Sequence, residues 1–549
     1  MRNQYQDKLA RLRESFPDPS RADKRLVPYF EQALAAAQKQ KNNSPIVGTY
    51  EPIDYDAACH ARITAKGISK EAIVALLAGY CEGSVIPSHP LTQRNIVSPA
   101  TIPSLLGGLY TGLYDPNLCW DEYSQRFALA EVEVAAMVAD LVGYQSQHSG
   151  GLFTFGGVGT VFYGVKVGLE KAAPNTTTKG VQGQVAVLAG EGSHYCRYIV
   201  CNWLGIGIDN LTIVPADDDF SMNKEQLRQQ LTTCLRAGKR VACIIATVGT
   251  TDSFGLDDLA QIAAVRDEVC AEFHLPYKIH IHADAVIGWA WAMFNDYDFK
   301  DNPLSLPMLQ ELQQASARVC QLQHADSLGI DFHKTGFTPY VSSMVLFKRK
   351  QDLQTLVRPQ KQAPYLFQFG DYRPGMLTME GTRAGNGVLA ALANLKLFGK
   401  DGFRVLLAHL VAMAQTFRQE LLATGKAAII NPACVGSVTL FRLYPDRMTP
   451  DFAAELTQSE RLLTINHYNW QLFDQLHTEA MTGNAPVLSS VDACMHSDHN
   501  DPVLALKAFI ISPFTDTQAV KATVAKIMAI KAKVDAMPAT KDLLCSQDW

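Results

Sequence analysis

The chain has 549 residues, a length at which a prior of roughly 150 residues per domain gives three to four units, or fewer large ones. With 47% hydrophobic and 19% charged residues it has the balance of a soluble globular protein, which excludes disorder and collagen-like repeats. Its 49 Lys plus Arg against 54 Asp plus Glu give a net charge of -5, so no global positive field exists to gather nucleic-acid phosphates or an anionic membrane.

The N-terminal MRNQYQDKLARLRESFPDPS is polar and mixed in charge, without the apolar run of a signal peptide, and no stretch approaches a membrane span. Twelve cysteines are scattered with no CxxC, and a chain this long needs no disulfide staples, so reduced thiols and a cytoplasmic location are expected. Helical spacing of apolar residues in FEQALAAAQKQ (30–40) and SKEAIVALLAGYCEG (69–83) predicts a leading helical arm.

From about residue 140, short β-branched runs alternate with helical stretches: VAVLAG (185–190), LTIVP (211–215), VACIIATVG (241–249) and KIHIHAD (278–284). Both faces of each run are apolar, which predicts a mainly parallel sheet covered by helices. VSSMVLFKRK (341–350) reads as a further strand with a basic end, and the connection between Trp291 and Leu322 as a surface insertion. After Gly402 come a long helix, strand-like SVTLFRLY (437–444), a helical stretch, KAFIIS (507–512) and a last helix, the pattern of a second α+β unit. The expected division is a helical arm over 1–105, a large domain over 106–402 and a C-terminal α+β domain over 403–549.

Ligands of open α/β sheets gather beyond the carboxyl ends of the strands, so the residues after each apolar run carry the chemistry. In GLFTFGGVGTVFYGVKVGLEKA (151–172), Gly156, Gly157, Val158 and Gly159 with the Thr160 hydroxyl suit a phosphate at a helix N-terminus; a tight structural turn suits the same residues. His194 follows VAVLAG, and Thr250 and Thr251 follow VACIIATVG, where packing and turn capping are the plainer readings. Asp284 ends a buried strand and needs a cationic partner, for which Lys334 in DSLGIDFHKTG is a candidate, whether as a structural salt bridge or as chemistry. Together these residues suit pyridoxal 5'-phosphate, which needs a phosphate cradle, a Schiff-base lysine and a carboxylate at its pyridine nitrogen.

The order GGVGT, SHYCR, ATVGTTDSFGLDD, HADA and DFHKTG resembles the group II pyridoxal-phosphate decarboxylases, the family of glutamate, cysteine sulfinate and aromatic-amino-acid decarboxylases. The resemblance runs from about residue 110 to 400 and implies fold type I, with a mainly parallel seven-stranded sheet, and a homodimer with its site at the subunit interface. It implies that Lys334 carries the cofactor, that His333 lies near the phosphate, that Asp284 pairs with the ring nitrogen and that Ala285 or its neighbour packs beneath the ring. His194 would stack on the other face, Thr251 would lie near the ring hydroxyl, and the amides of Gly157 and Val158 with the Thr160 side chain would hold the phosphate.

APYLFQ (363–368) is similar to the mobile-loop segment of glutamate and cysteine sulfinate decarboxylases, which makes Tyr365 the expected proton donor after CO2 leaves. The chain departs from the family at HADAVIGWAWA, where Val286, Ile287 and Trp289 imply a bulkier wall, and at Val161, where a polar residue is common. Lys507 in ALKAFIISPF falls where glutamate decarboxylase has its substrate-binding arginine, though as a point charge without the fork. The reading leans to an acidic substrate (glutamate, aspartate or cysteine sulfinate) and leaves an aromatic one open.

Other fold-type-I lyases are separated by Tyr365, and a degenerate binding relative would have no need of both Lys334 and Asp284. The lack of GxGxxG after a first strand disfavours a nicotinamide dehydrogenase. No metal is expected: His496 and His499, and His274, His280 and His282, form no recognised ligand set. Glu131 and Glu133 point to different helix faces, against a paired acid/base role.

Overall fold

The apolar runs form the sheet that their alternation with helices predicts. The computed structural model describes residues 4–41, 43–367 and 370–537, without the side chains of Tyr365 and Phe367. Its larger sheet has seven strands: β1 (Gly150–Thr154), β2 (Val185–Gly190), β3 (Leu211–Val214), β4 (Arg240–Thr247), β5 (His280–Asp284), β6 (Ser327–Asp331) and β7 (Ser343–Phe347). They lie in the order β1-β7-β6-β5-β4-β2-β3. From β3 across to β6 neighbours are parallel, while β7 runs antiparallel to both β6 and β1. Strands β2, β5 and β6 are buried along their whole length, as befits a sheet covered on both faces.

The helix Gly157–Ala172 crosses one face of this sheet. A Cβ on Gly164 would stand 2.2 Å from His282 Nδ1, so this close approach requires glycine. On the other face the helix Asn386–Ala423 lies against the helices Ile102–Tyr114 and Arg126–Leu141, and breaks helical geometry at Gly399 (φ 53). The boundary expected at 105/106 falls inside Ile102–Tyr114, and that at 402/403 just past the Gly399 break.

Beyond it a second, antiparallel sheet contains β8 (Ala427–Ile429), β9 (Val438–Leu443), β10 (Ser489–Val491) and β11 (Ala505–Phe509) in the order β10-β11-β9-β8. The largest buried apolar cluster joins both sheets, from Ile244 and Ile281 to Phe441 and Phe509. The connection expected as a surface insertion is instead packed. Its helix Leu309–Val319 buries Leu312, Ala315 and Val319 against Gly288–Phe294, and a buried Leu or Val side chain contributes about 1.5–3 kcal/mol. The arm helices Leu26–Lys39 and Lys70–Gly79 pack on each other and bury no residue. Among the described residues no helix is long and apolar enough to cross a membrane.

Candidate active site

Four parallel strands deliver their following residues to one edge of the sheet. His194 follows β2, Thr251 follows β4, Asp284 closes β5, and Lys334 lies in the short helix Phe332–Thr335 after β6. The register explains the convergence, since Thr247 pairs with Asp284 and Asp284 with Gly329.

The Lys334 ammonium is 2.9 Å from Asp331 Oδ2, and the buried Asp331 also accepts from Ser343 Oγ at 2.6 Å. Asp331 was not singled out in the sequence, although it stands three places before the lysine. Burial works against the charge on Lys334, but Asp331 and Asp284 outweigh it and hold the ammonium above its ordinary range. Asp284 is fully enclosed, and burial pushes its carboxyl up to about 6 against the pull of Lys334. His194 is brought down to about 4 by burial and by the charge on Lys334, so it is neutral at pH 7. Its Nδ1 accepts from the Cys196 amide at 3.2 Å, which fixes the ring. His333 lies with Nε2 3.5 Å from Asp331 Oδ2 and its ring 4.4 Å from that of Tyr340.

Two features fit a phosphate-bearing pyridine. Asp284 Oδ1 is buried with no hydrogen-bond partner in this structure, a carboxylate that a protonated ring nitrogen would satisfy. The Gly157 and Val158 amides open the helix Gly157–Ala172, where a helix's first N–H groups have no acceptor within it, while the Gly159 amide already donates to the Gly156 carbonyl at 2.9 Å; Gly156 (φ 131) has open space where a Cβ would stand. A Cβ on Gly157 would lie 2.9 Å from Asp331 Oδ2, so a side chain there would crowd the lysine's partner.

Several expected residues sit differently. The Thr160 hydroxyl, fully buried, donates to the Gly157 carbonyl at 2.7 Å and is turned into the helix, leaving the amides as the anion donors. Of the bulkier wall, Val286, Ile287 and Trp289 are all buried, and Trp289 packs edge-on to Phe332 and Phe403 while donating to the Asp331 carbonyl at 3.2 Å. Thr251 is partly exposed at the loop tip, and Ala285 is buried directly after Asp284. Lys507 is not free, because its ammonium is 2.5 Å from Asp252 Oδ1. The Tyr365 side chain lies outside the described residues, but its neighbours Ala363 and Leu366 are buried against Cys119.

Glu131 has a role that its helix spacing hid. Its two oxygens accept from the buried Phe153 amide at 2.8 Å, from the half-buried Tyr372 Oη at 3.0 Å and from the buried Arg383. This network ties the segment after Tyr365 to β1. The candidate metal histidines are engaged elsewhere: His280 and His282 both bond to Ser327 Oγ, at 2.8 and 2.9 Å, and His496 lies 3.5 Å from Glu191. Among the described residues no group of three potential ligands surrounds a metal position. A cavity of about 820 Å3 opens between Val132, Gly151, Leu353 and Tyr372, with none of the converging strand-end residues in its wall.

A sheet of this order with a half-buried lysine and a buried carboxylate at its carboxyl edge defines a pyridoxal-phosphate enzyme of fold type I. Residues 85–444 match the family model described as the pyridoxal-dependent decarboxylase conserved domain, and the chain belongs to that family. It is a carboxy-lyase whose cofactor is pyridoxal phosphate. L-2,4-diaminobutyrate decarboxylase of Rhizobium meliloti (strain 1021) is 25% identical over 392 residues, covering 70% of this chain and 71% of the relative. Acidic amino acid decarboxylase GADL1 of Xenopus tropicalis is 25% identical over 257 residues, covering 46% and 48%. The crystal structure of mouse CSAD has a TM-score of 0.76 at 17% identity, covering 93% of this chain and 99% of that one.

Proposed function

We propose that the chain decarboxylates an L-amino acid to the amine and CO2, in a homodimer with its site at the subunit interface. The convergence of Lys334, Asp284 and His194 on one sheet edge is the observation that carries this reading. Bound pyridoxal phosphate supplies an electron-accepting ring for the pair released when the bond from Cα to the carboxylate breaks.

The chain's own residues hold and orient. Lys334 provides the amine for covalent attachment, and Asp331 keeps its Nζ pointed at the site. Asp284 holds a proton on the ring nitrogen, an arrangement its unpartnered Oδ1 favours. The amides of Gly157 and Val158 hold the phosphate, with His333 nearby; Thr160 supports their turn rather than the anion. His194, neutral, would stack on one face of the bound ring with Ala285 beneath the other, and Thr251 would lie near the ring hydroxyl. Tyr365 returns a proton to the former carboxylate-bearing carbon.

A homodimer is favoured by apolar surface left open beside the site: Ile102 and Tyr114 are 78% and 73% exposed, and Tyr195 and Trp203 are exposed as well. The described cysteines are all free, which suits a cytoplasmic enzyme. The lean to an acidic substrate rests on Lys507 and on the YLFQ resemblance. Lys507 would serve such a substrate only if the incoming carboxylate displaced Asp252.

Two measurements test the reading. Purified protein incubated with pyridoxal phosphate is expected to turn yellow, to bleach with borohydride and to release CO2 from one class of amino acid; a chain that takes up no cofactor ends the proposal. Tyr365→Phe is expected to slow amine release and to divert product to aldehyde; amine at the original rate with no aldehyde refutes the Tyr365 role.

A further inference from the structure

The ion pair between Lys507 and Asp252 has an inside and an outside. The Lys507 side chain is 1% exposed and that of Asp252 48%, so the carboxylate caps the ammonium and faces outward. Lys507 is fixed in β11, paired with Leu440 of β9 and Ser489 of β10. The Asp252 loop is equally constrained: Asn431 Nδ2 donates to the Ser253 carbonyl at 2.9 Å, and Thr250 Oγ1 accepts from the Gly255 amide at 2.7 Å. Asp252 directly follows Thr250 and Thr251, and a Cβ on Gly192 would lie 3.2 Å from Thr250 Cγ2, so the loop that carries Asp252 packs against the segment leading into His194.

Two described cations of the strand-end region are committed elsewhere. Lys334 is reserved for the cofactor, and Arg197 Nη1 is held by the carbonyls of Gly190, Glu191 and Ser193. Glu191 adds a further carboxylate beside His496, while Arg94 stands exposed near Tyr340. An acidic side chain reaching towards Lys507 meets Asp252 first and must expel it. An ammonium meets an outward carboxylate ready for a charge-assisted hydrogen bond.

We propose that Asp252, seated on Lys507, reads the substrate side chain, and that the substrate is an L-amino acid whose side chain ends in an amine. This rests on the decarboxylase reading above and replaces its lean to an acidic substrate, because the Lys507 on which that lean depends is already capped by Asp252.

The test uses the full chain loaded with pyridoxal phosphate and a panel of L-2,4-diaminobutyrate, ornithine, lysine, aspartate, glutamate, cysteine sulfinate and tyrosine. CO2 release is expected from a diamino acid in preference to every acidic or aromatic member. Asp252→Asn is expected to lower kcat/KM for that substrate about ten- to hundredfold, the effect of losing a charged hydrogen bond, with cofactor uptake unchanged. Because Asp252→Asn leaves a buried lysine without its counter-ion, the double variant Asp252→Asn/Lys507→Met serves as the folded control and is expected to show the same loss.

Preference of the wild type for an acidic or aromatic amino acid overturns the proposal, and so does an unchanged diamino preference in both variants. Absence of turnover on the whole panel by cofactor-loaded protein overturns it too. Failure to load the cofactor through Lys334 is a separate outcome, which removes the decarboxylase reading and the substrate assignment with it.

Discussion

Two buried charge clusters flank the seven-stranded sheet, and they are finished differently. In the Glu131 cluster both carboxylate oxygens are filled, by Arg383, Tyr372 and the Phe153 amide. At the Lys334 end, Asp284 keeps an oxygen with no partner and a carboxyl pushed up to about 6, while two carboxylates press on one lysine. A buried carboxylate whose two oxygens are both filled holds a fold together, whereas one left with an open oxygen is a cost that a ligand removes.

Substitution separates the two most sharply. Lys334→Ala is expected to keep the fold and lose covalent cofactor attachment, with CO2 release falling about a thousandfold or more. Circular dichroism with borohydride bleaching checks both halves, and an unfolded Lys334→Ala would place that cluster with the structural one. Glu131→Gln is expected to act in the opposite sense, destabilising the chain by about 3–5 kcal/mol because Arg383 is left buried and uncompensated. Denaturant unfolding measures it; full stability with lost cofactor binding would erase the distinction.

The sheet was legible because β2 and β4 are apolar on both faces and too short for helices. Strands β1 (GGLFT) and β6 (SLGID) escaped because glycine interrupts their pattern, so one read as a glycine cluster and the other as flanking sequence. Lys334, Asp284 and His194 were legible from their order along the chain. The partners that give the site its electrostatics were not, since Asp252 and Lys507 are 255 positions apart and Glu131 and Arg383 are 252. Periodicity reports which face a side chain takes and is silent on what the fold brings to meet it. The helix spacing of Glu131 and Glu133 therefore gives no sign of the ion pair that Glu131 makes with Arg383.

The smallest effect is the pH dependence of the cofactor-free chain, where Asp284 and His194 oppose each other. Asp284 binds its proton more tightly folded (about 6) than unfolded (3.8), so its contribution to stability is full below pH 3.8 and is lost as the pH rises to 6. His194 binds its proton less tightly folded (about 4) than unfolded (6.5), so its contribution is full above pH 6.5 and is lost as the pH falls to 4. Each shift of about two units corresponds to roughly 3 kcal/mol, and across pH 4 to 6 the two slopes have opposite sign and largely cancel. Asp284→Asn is expected to stabilise the cofactor-free chain at pH 7 by up to about 3 kcal/mol and to steepen its loss of stability on acidification, because the His194 slope is unmasked. His194→Gln is expected to do the reverse, with stability rising as the pH falls from 6 to 4 relative to wild type. Urea midpoints of the three proteins from pH 4 to 7 measure both slopes, and parallel curves would mean that neither group is desolvated as the structure places it. Loading pyridoxal phosphate is expected to abolish the Asp284 slope in the wild type, since the buried carboxylate then faces a cation.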